Sequence, residues 1–408
     1  AMARTASPPP PPPPPRARPR RVVGARFFLR CAWLLGSSAG LARAACPTLS
    51  SSPMATLTPA ATGHLRALVW VPAASNGGTD LLVAGGEDQK LRVWQLSGTQ
   101  PTLIGTHINT LGSIHGTVWS LKWIAAHSVL ASGSGDGFIR LWPLSALNNV
   151  QACHVEAKGN GNDLCCDGDG LGCEGARVVS WRDAQMTRAG QVHALEWIGA
   201  HSLLASAWSD GVVRLWTYSS TNTPPLTYSH SIYPTGRAYS LTWLTGLEKL
   251  AVTSPDWTLP ELWDKDGAQQ KMVLTEHLPT GFGCCPTAHC GPVHASVADG
   301  AGMMLATASD DAKVKLWAAD SGAMNHTFSG HAAAVTALEW MHSESKLVSG
   351  GAEGSILLWD PTNLGAAGPA SSTLSAHSGR VSSLAWMSTL GALASASHDL
   401  TVKLWHCV

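Results

Sequence analysis

An all-β fold, a closed ring of seven four-stranded antiparallel blades, is what this sequence predicts, and three observations predict it. Seven times a short apolar run ends in tryptophan six or seven residues after an acid: Asp88 to Trp94, Asp136 to Trp142, Asp210 to Trp216, Asp256 to Trp263, Asp311 to Trp317, Glu353 to Trp359 and Asp399 to Trp405. These tryptophans recur every 42 to 54 residues, with one interval of 74, and internal repetition at that period marks a solenoid or a propeller. Inside a unit such as 376–405 the apolar residues alternate with period two over runs of about five or six residues. That is strand spacing rather than helix spacing. A unit with three such runs cannot cover its own faces, whereas four-stranded blades packed in a ring cover all but channel and rim.

Taken in chain order, residues 1–53 are an extension. Residues 8–15 are an unbroken proline run, followed by Arg16, Arg18, Arg20 and Arg21, a composition that favours an extended, disordered arm. The apolar stretch 27–35 and the Ala42-Arg43-Ala44 end have the outline of a secretory signal. The Arg-rich, acid-free composition also suits an organelle transit peptide, and Met54 is an alternative start. Without targeting, the chain is expected in the cytoplasm or nucleus.

Residues 54–408 are expected to form the ring. The chain stops three residues after Trp405, so the seventh unit lacks an outer strand of its own. Residues 54–61 are the natural donor, and Pro59 is tolerable on an edge. Closure by the two ends removes the open seam. The seven units then follow, with turn chemistry such as Asp136-Gly137 and Asp210-Gly211. Between the second and third units a Cys- and Gly-rich insertion at about 151–180 reads as a loop. Of the 18 tryptophans, 13 fall on two repeat positions, such as Trp123, Trp197, Trp340 and Trp386, and are read as core.

A finer pattern supports the repeat. His289 to Asp311, His331 to Glu353 and His377 to Asp399 are each 22 residues apart, and Ser132, Ser206, Thr307, Ser349 and Ser395 each sit four before the acid. This resembles the WD-repeat β-propeller family. The resemblance implies a structural hydrogen-bond network: His289, Thr307, Asp311 and Trp317 in the fifth unit; His331, Ser349, Glu353 and Trp359 in the sixth; His377, Ser395, Asp399 and Trp405 in the seventh. The second unit has His115 one position late, and the first, third and fourth lack the His in register. A Ser, His and Asp together invite a catalytic reading, but a copy in most units serves a turn, not one active site, and no nucleophile elbow accompanies them. No enzyme activity and no cofactor are expected.

In that family, residues flanking the first inward-facing position of each inner strand, and the residue before the turn acid, form the partner-binding face. By register these are His64, Arg66 and Glu87 in the first unit, and Trp119, with Thr117 and Gly135, in the second. The third gives Gln191, His193 and Ser209, and the fourth Arg237 and Tyr239. The fifth gives His294 and Asp310 with Pro292, the sixth Thr336 with Ala334 and Ala352, and the seventh Arg380, Ser382 and His398. Trp, Tyr and Arg dominate interface energetics because they bury large area with little rotamer loss. If His193, His294 and His398 share one contact, affinity is expected to change between about pH 7 and 5.5, where imidazole titrates.

The formal net charge is zero, yet residues 1–79 hold nine Arg and no acid, which leaves 18 basic against 27 acidic residues beyond. A mildly acidic body argues against nucleic acid as the ring's partner. The basic arm keeps open an RNA- or ribosome-associated adaptor. No apolar run reaches membrane-spanning length. Cys153, Cys165, Cys166 and Cys173, with His154, form one cysteine group; Cys284, Cys285 and Cys290, with His289, form another. Neither contains a C-x-x-C pair, so reduced thiols are expected, with a disulfide or a zinc site as the weaker readings. The acidic run 167–170 also fails Ca²⁺-loop spacing, because Ala176 stands where a bidentate Glu is needed. The expectation is a scaffold or adaptor, monomeric by itself, that binds proteins or peptides within a larger complex; a metal-binding or enzymatic propeller is the minor alternative.

Overall fold

The computed structural model describes residues 46, 48–58, 61–75, 78–96, 102–108, 116–147, 154–156, 163–166, 177–181, 190–222, 225–256, 259–267, 272–273, 289–362, 370 and 372–408. Among these, seven antiparallel sheets follow one another along the chain, within a compact unit Ala45–Val408. We number the sheets as blades and their strands from the channel outward.

Blade 1 is Leu65–Val71, Asp80–Gly86, Lys90–Leu96 and Thr102–Ile108. Blade 3 begins at Val192–Ile198, blade 4 at Ser240–Leu244, blade 5 at Val293–Ala298, blade 6 at Val335–Met341 and blade 7 at Val381–Met387. Each inner strand touches the inner strand of the next blade, and that of blade 7 touches that of blade 1, so the ring is closed. The hydrophobic core is accordingly divided into seams between neighbouring blades.

Blade 2 departs from the expected four strands. Its inner three, Val118–Ile124, Val129–Ser134 and Ile139–Pro143, are followed outward by Arg177–Trp181, Asp163–Cys166 and His154–Glu156, six in all. The insertion is therefore not only a loop. It extends the blade by a hairpin and supplies the blade's fourth strand from its far end, where Val179 pairs with Leu141. Cys165 and Cys166 lie on one hairpin strand, while Cys153 and Cys173 lie outside the described residues.

Ala55–Leu57 closes blade 7 as expected, pairing antiparallel with Val402–His406. The contact starts upstream of residue 54. Leu49 bridges Cys407, the Ser50 amide donates to the His406 carbonyl at 2.9 Å, and the Val408 amide donates to the Thr48 carbonyl at 3.0 Å. Cys46 and Cys407 are joined by a disulfide with Cα atoms 5.1 Å apart. Cys46 and Leu49 are buried in the seam between blades 6 and 7, among Met341, Ile356 and Leu374. Cys290 is also disulfide-bonded. The reduced-thiol expectation thus fails for Cys290, while Cys46 and Cys407 lie outside the two clusters it covered. It was drawn from two sequence clusters, whereas the clasp joins residues 361 apart in sequence.

Blade-to-blade spacing is set by small residues. A Cβ on Gly133 would stand 2.6 Å from Val192 of the next blade, and one on Gly350 would stand 2.5 Å from Val381. The turn after six of the strand acids holds a left-handed residue. Gly137, Gly211 and Gly354 supply it at φ 78°, 84° and 88°, but Gln89, Ala312 and Leu400 adopt φ 65°, 62° and 67° at the same step, where a Cβ is disfavoured.

Candidate functional site

The repeat network is the frame that holds the rim. In blade 5, His289 contacts Asp311 at 2.9 Å and Thr307 at 2.8 Å, and Trp317 Nε1 donates to Thr307 Oγ1 at 2.8 Å. In blade 7, His377 contacts Asp399 and Ser395, both at 2.8 Å, and Trp405 Nε1 donates to Ser395 at 2.9 Å. Blade 6 repeats this with His331, Glu353, Ser349 and Trp359, the longer acid reaching back to His331 at 2.5 Å. All three histidines are held below the usual imidazole range by burial, which outweighs the neighbouring carboxylates. Burial pushes Asp311 up, but its bonds from His289 and from the Cys290 and Lys313 amides prevail and bring it down to about 2.

The blades without this histidine solve the problem differently. An arginine two residues before the tryptophan points back at the turn acid: Arg92 at Asp88, Arg140 at Asp136 and Arg214 at Asp210. Arg140 is 0% exposed and bonds Asp136 at 2.6 Å and Ser134 at 2.9 Å. In blade 4, which lacks the hydroxyl, Glu261 accepts the Trp263 indole N–H at 3.1 Å. Sequence reasoning missed both substitutes, although an Arg four after the acid is visible in each of three repeats. His115 lies outside the described residues.

At the start of six inner strands the pairing slips by one residue, between Leu65 and Ala67, Val118 and Ser120, Val192 and Ala194, Val293 and Ala295, Val335 and Ala337, and Val381 and Ser383. The skipped residues are Arg66, Trp119, His193, His294, Thr336 and Ser382. A bulge frees a residue from the ladder and re-aims its side chain. Together with Tyr239 and Arg380 these six line one cavity of about 170 Å³ at the channel mouth.

The mouth has two unlike halves. On one side His193 stacks on Tyr239 at 4.5 Å, and Trp119 meets His193 at 5.3 Å. On the other, His398 stacks on His64 at 4.4 Å, and Arg66 bonds Glu87 while its guanidinium lies 5.1 Å from the Trp119 ring centre. Burial raises the Glu87 carboxyl, but the bond and charge of Arg66 outweigh it and hold it low. His294 meets Asp310 at 2.6 Å. Of the remaining rim candidates, Arg237 is exposed and spans Asp256 with two guanidinium bonds, and the Gln191 amide donates to Ser209 at 2.9 Å. His64, Glu87, Gln191, Arg237, Asp310 and His398 do not line the cavity itself.

Deeper in the channel, Lys122 and Glu196 pair at 2.6 Å. At the same register in blade 6, Glu339 accepts the Trp386 amide at 3.1 Å. Burial pushes its carboxyl up to about 7, against the pull of that amide and of Lys122. Alternation alone does not reveal these channel groups.

Burial, with Arg237 nearby, lowers His193 to about 4, and burial with Arg66, His64 and Arg380 lowers His398 to about 4. Neither titrates between pH 7 and 5.5, so the affinity change expected there does not arise from these two. Stability responds instead. Between pH 6.5 and 4 the unfolded chain protonates these histidines and the folded chain does not, so stability falls as pH falls. His289, His331, His342 and His377 act in the same direction; Glu339, raised, acts oppositely below about 7. Urea midpoints measured from pH 7.5 down to 4.5 are expected to decline, and a midpoint that holds or rises would contradict this assignment.

With the geometry in place, comparison with known proteins adds the family. The WD domain, G-beta repeat family matches residues 105–143, 282–318, 322–360 and 368–406. The WD40 β-propeller domain of Doa1 superposes with a TM-score of 0.62 at 17% identity, covering 88% of this chain and 97% of that one, a likeness of fold. The chain is a WD-repeat β-propeller. The WD propeller is 26% identical over 361 residues to Telomerase protein component 1 of Rattus norvegicus, across 72% of this chain but 13% of that protein's length. It is 23% identical over 302 residues to Striatin of Rattus norvegicus, across 72% of this chain and 34% of the relative. The WD propeller therefore spans a minor part of these relatives. Among the described residues no helix is long and apolar enough to cross a membrane, and no three metal-ligating side chains converge.

Proposed function

We propose that the WD propeller is a non-catalytic scaffold whose channel mouth binds a peptide or loop of a partner protein. The observation that carries this is the bulge-built ring, which brings Arg66, Trp119, His193 and Tyr239 into one cavity. These are the side chains that anchor protein interfaces, and the likeness to a relative named Telomerase protein component 1 supports the reading. The test is selection of binding peptides from a random display library against the full chain. Trp119→Ala is expected to weaken the selected peptides by about 2 kcal/mol, roughly 30-fold, with no change in Tm. Equal affinity for both proteins would refute the mouth as the site.

We keep cytoplasm or nucleus as the proposed location. The disulfides provide the observation that could overturn it, since such bonds persist in oxidising compartments. Alkylation in intact cells separates the two: reaction at Cys46 and Cys407 supports cytoplasm or nucleus, and protection supports secretion or an organelle.

A further inference from the structure

Resting on the mouth as the binding site, the chemistry of its partner follows from which polar groups there are already satisfied. The carboxylates are engaged: Glu87 by Arg66 and His64, Asp256 by Arg237, Asp310 by His294. The donors are not. Arg380 lines the cavity, and among the described residues its guanidinium has no hydrogen-bond or ion-pair partner. Trp119 Nε1 and His398 Nε2 are buried and unpaired, and buried N–H groups normally have acceptors.

The local charge has the same sense. Where blades 7 and 1 meet, Arg66, Arg380, His64 and His398 gather around the single carboxylate of Glu87. The low pKa of His398 has the charges of Arg66, His64 and Arg380 among its causes, after burial. A cationic peptide side chain would enter a site with surplus positive charge and no free carboxylate. A long polyanion would meet a body with more acids than bases beyond residue 79. A short anionic group suits both constraints.

We propose that the mouth recognises an acidic peptide, with one carboxylate held by Arg380 and Arg66 and the Trp119 indole N–H, and an adjacent flat or apolar side chain laid on the Trp119–His193–Tyr239 wall. The arrangement is two-sided: cation and donor on one flank, stacked rings on the other, with Arg66 over Trp119 joining them.

The random-library selection described above provides the test. Asp and Glu should be enriched among the peptides recovered. Replacing the enriched acid of a recovered peptide by its amide should weaken binding about tenfold or more, because a guanidinium covered by the peptide is left without its anion. Arg380→Ala should cause the same loss on the acidic peptide and little on its amide form, and Arg380→Lys should restore part of it. A phosphoserine version of the same peptide identifies the better source of the anionic group. Selected peptides that are basic or neutral, yet depend on Trp119, would overturn this inference and leave the mouth as a binding site. Peptides indifferent to Trp119 would remove both. Circular dichroism of the Arg380 variants, expected unchanged, excludes misfolding as the cause.

Discussion

Asp136→Ala is expected to cost the fold about 3–5 kcal/mol, the range seen when one partner of a buried ion pair is removed. Arg140 is 0% exposed and Asp136 8% exposed. The substitution strands a guanidinium in a blade interior, where Ser134 and the Phe138 ring are its remaining partners among the described residues. Asp88→Ala also removes a buried acid, with Arg92 and Asp88 3% and 2% exposed, and should lower stability in the same direction. Arg214 is the control: its partner Asp210 is 35% exposed, so water can replace the acid and Asp210→Ala should cost about 1 kcal/mol or less. Denaturant midpoints of the three variants check the ranking. Similar losses at Asp136 and Asp210 would refute the role given to burial. A second check is Asp136→Ala with Arg140→Leu, which removes the stranded charge and should recover part of the loss.

Removal of the Cys46–Cys407 bond is the other large expected effect. The strand Ala55–Leu57 has three paired positions, a short seal for a whole ring, and the disulfide keeps it in place. In the chain-entropy view a closed loop of this size restricts the unfolded chain by on the order of 5 kcal/mol, of which native bonds commonly return about 2–5. Cys46→Ser, Cys407→Ser and the double variant should therefore lose similar amounts, and the double should not exceed either single. Reductant should lower the Tm of the native protein and leave that of the double variant less affected, with Cys290 accounting for any remainder. A native protein whose Tm ignores both reductant and substitution would show that the clasp does not hold the ring.

The features legible in the sequence are those in which a residue type recurs at a fixed distance. The blade count, the closing strand and the networks around His289, His331 and His377 all depend on such intervals. The mouth residues were legible for the same reason, because register fixes which face a strand residue takes. The bulges that push Arg66, Trp119 and His193 out of the ladder were not, since a bulge is a mismatch between two strands and leaves no mark in either alone. The arginine substitutes were readable but fell outside a search for histidine. The six-stranded blade was hidden by its composition: Gly-rich segments flank short strands, and chain order gives no hint that Arg177–Trp181 returns to pair ahead of the hairpin. The disulfide was beyond reach, because connectivity among ten cysteines does not follow from their spacing.

With Cys46 bonded to Cys407, the backbone between them has become a circle. A protease that nicks one surface turn of the propeller produces two fragments that remain tied through sulfur. The nicked molecule should migrate as one species until the disulfide is reduced, so that wear on its outer edge need not mean loss of the proposed binding face at its hub.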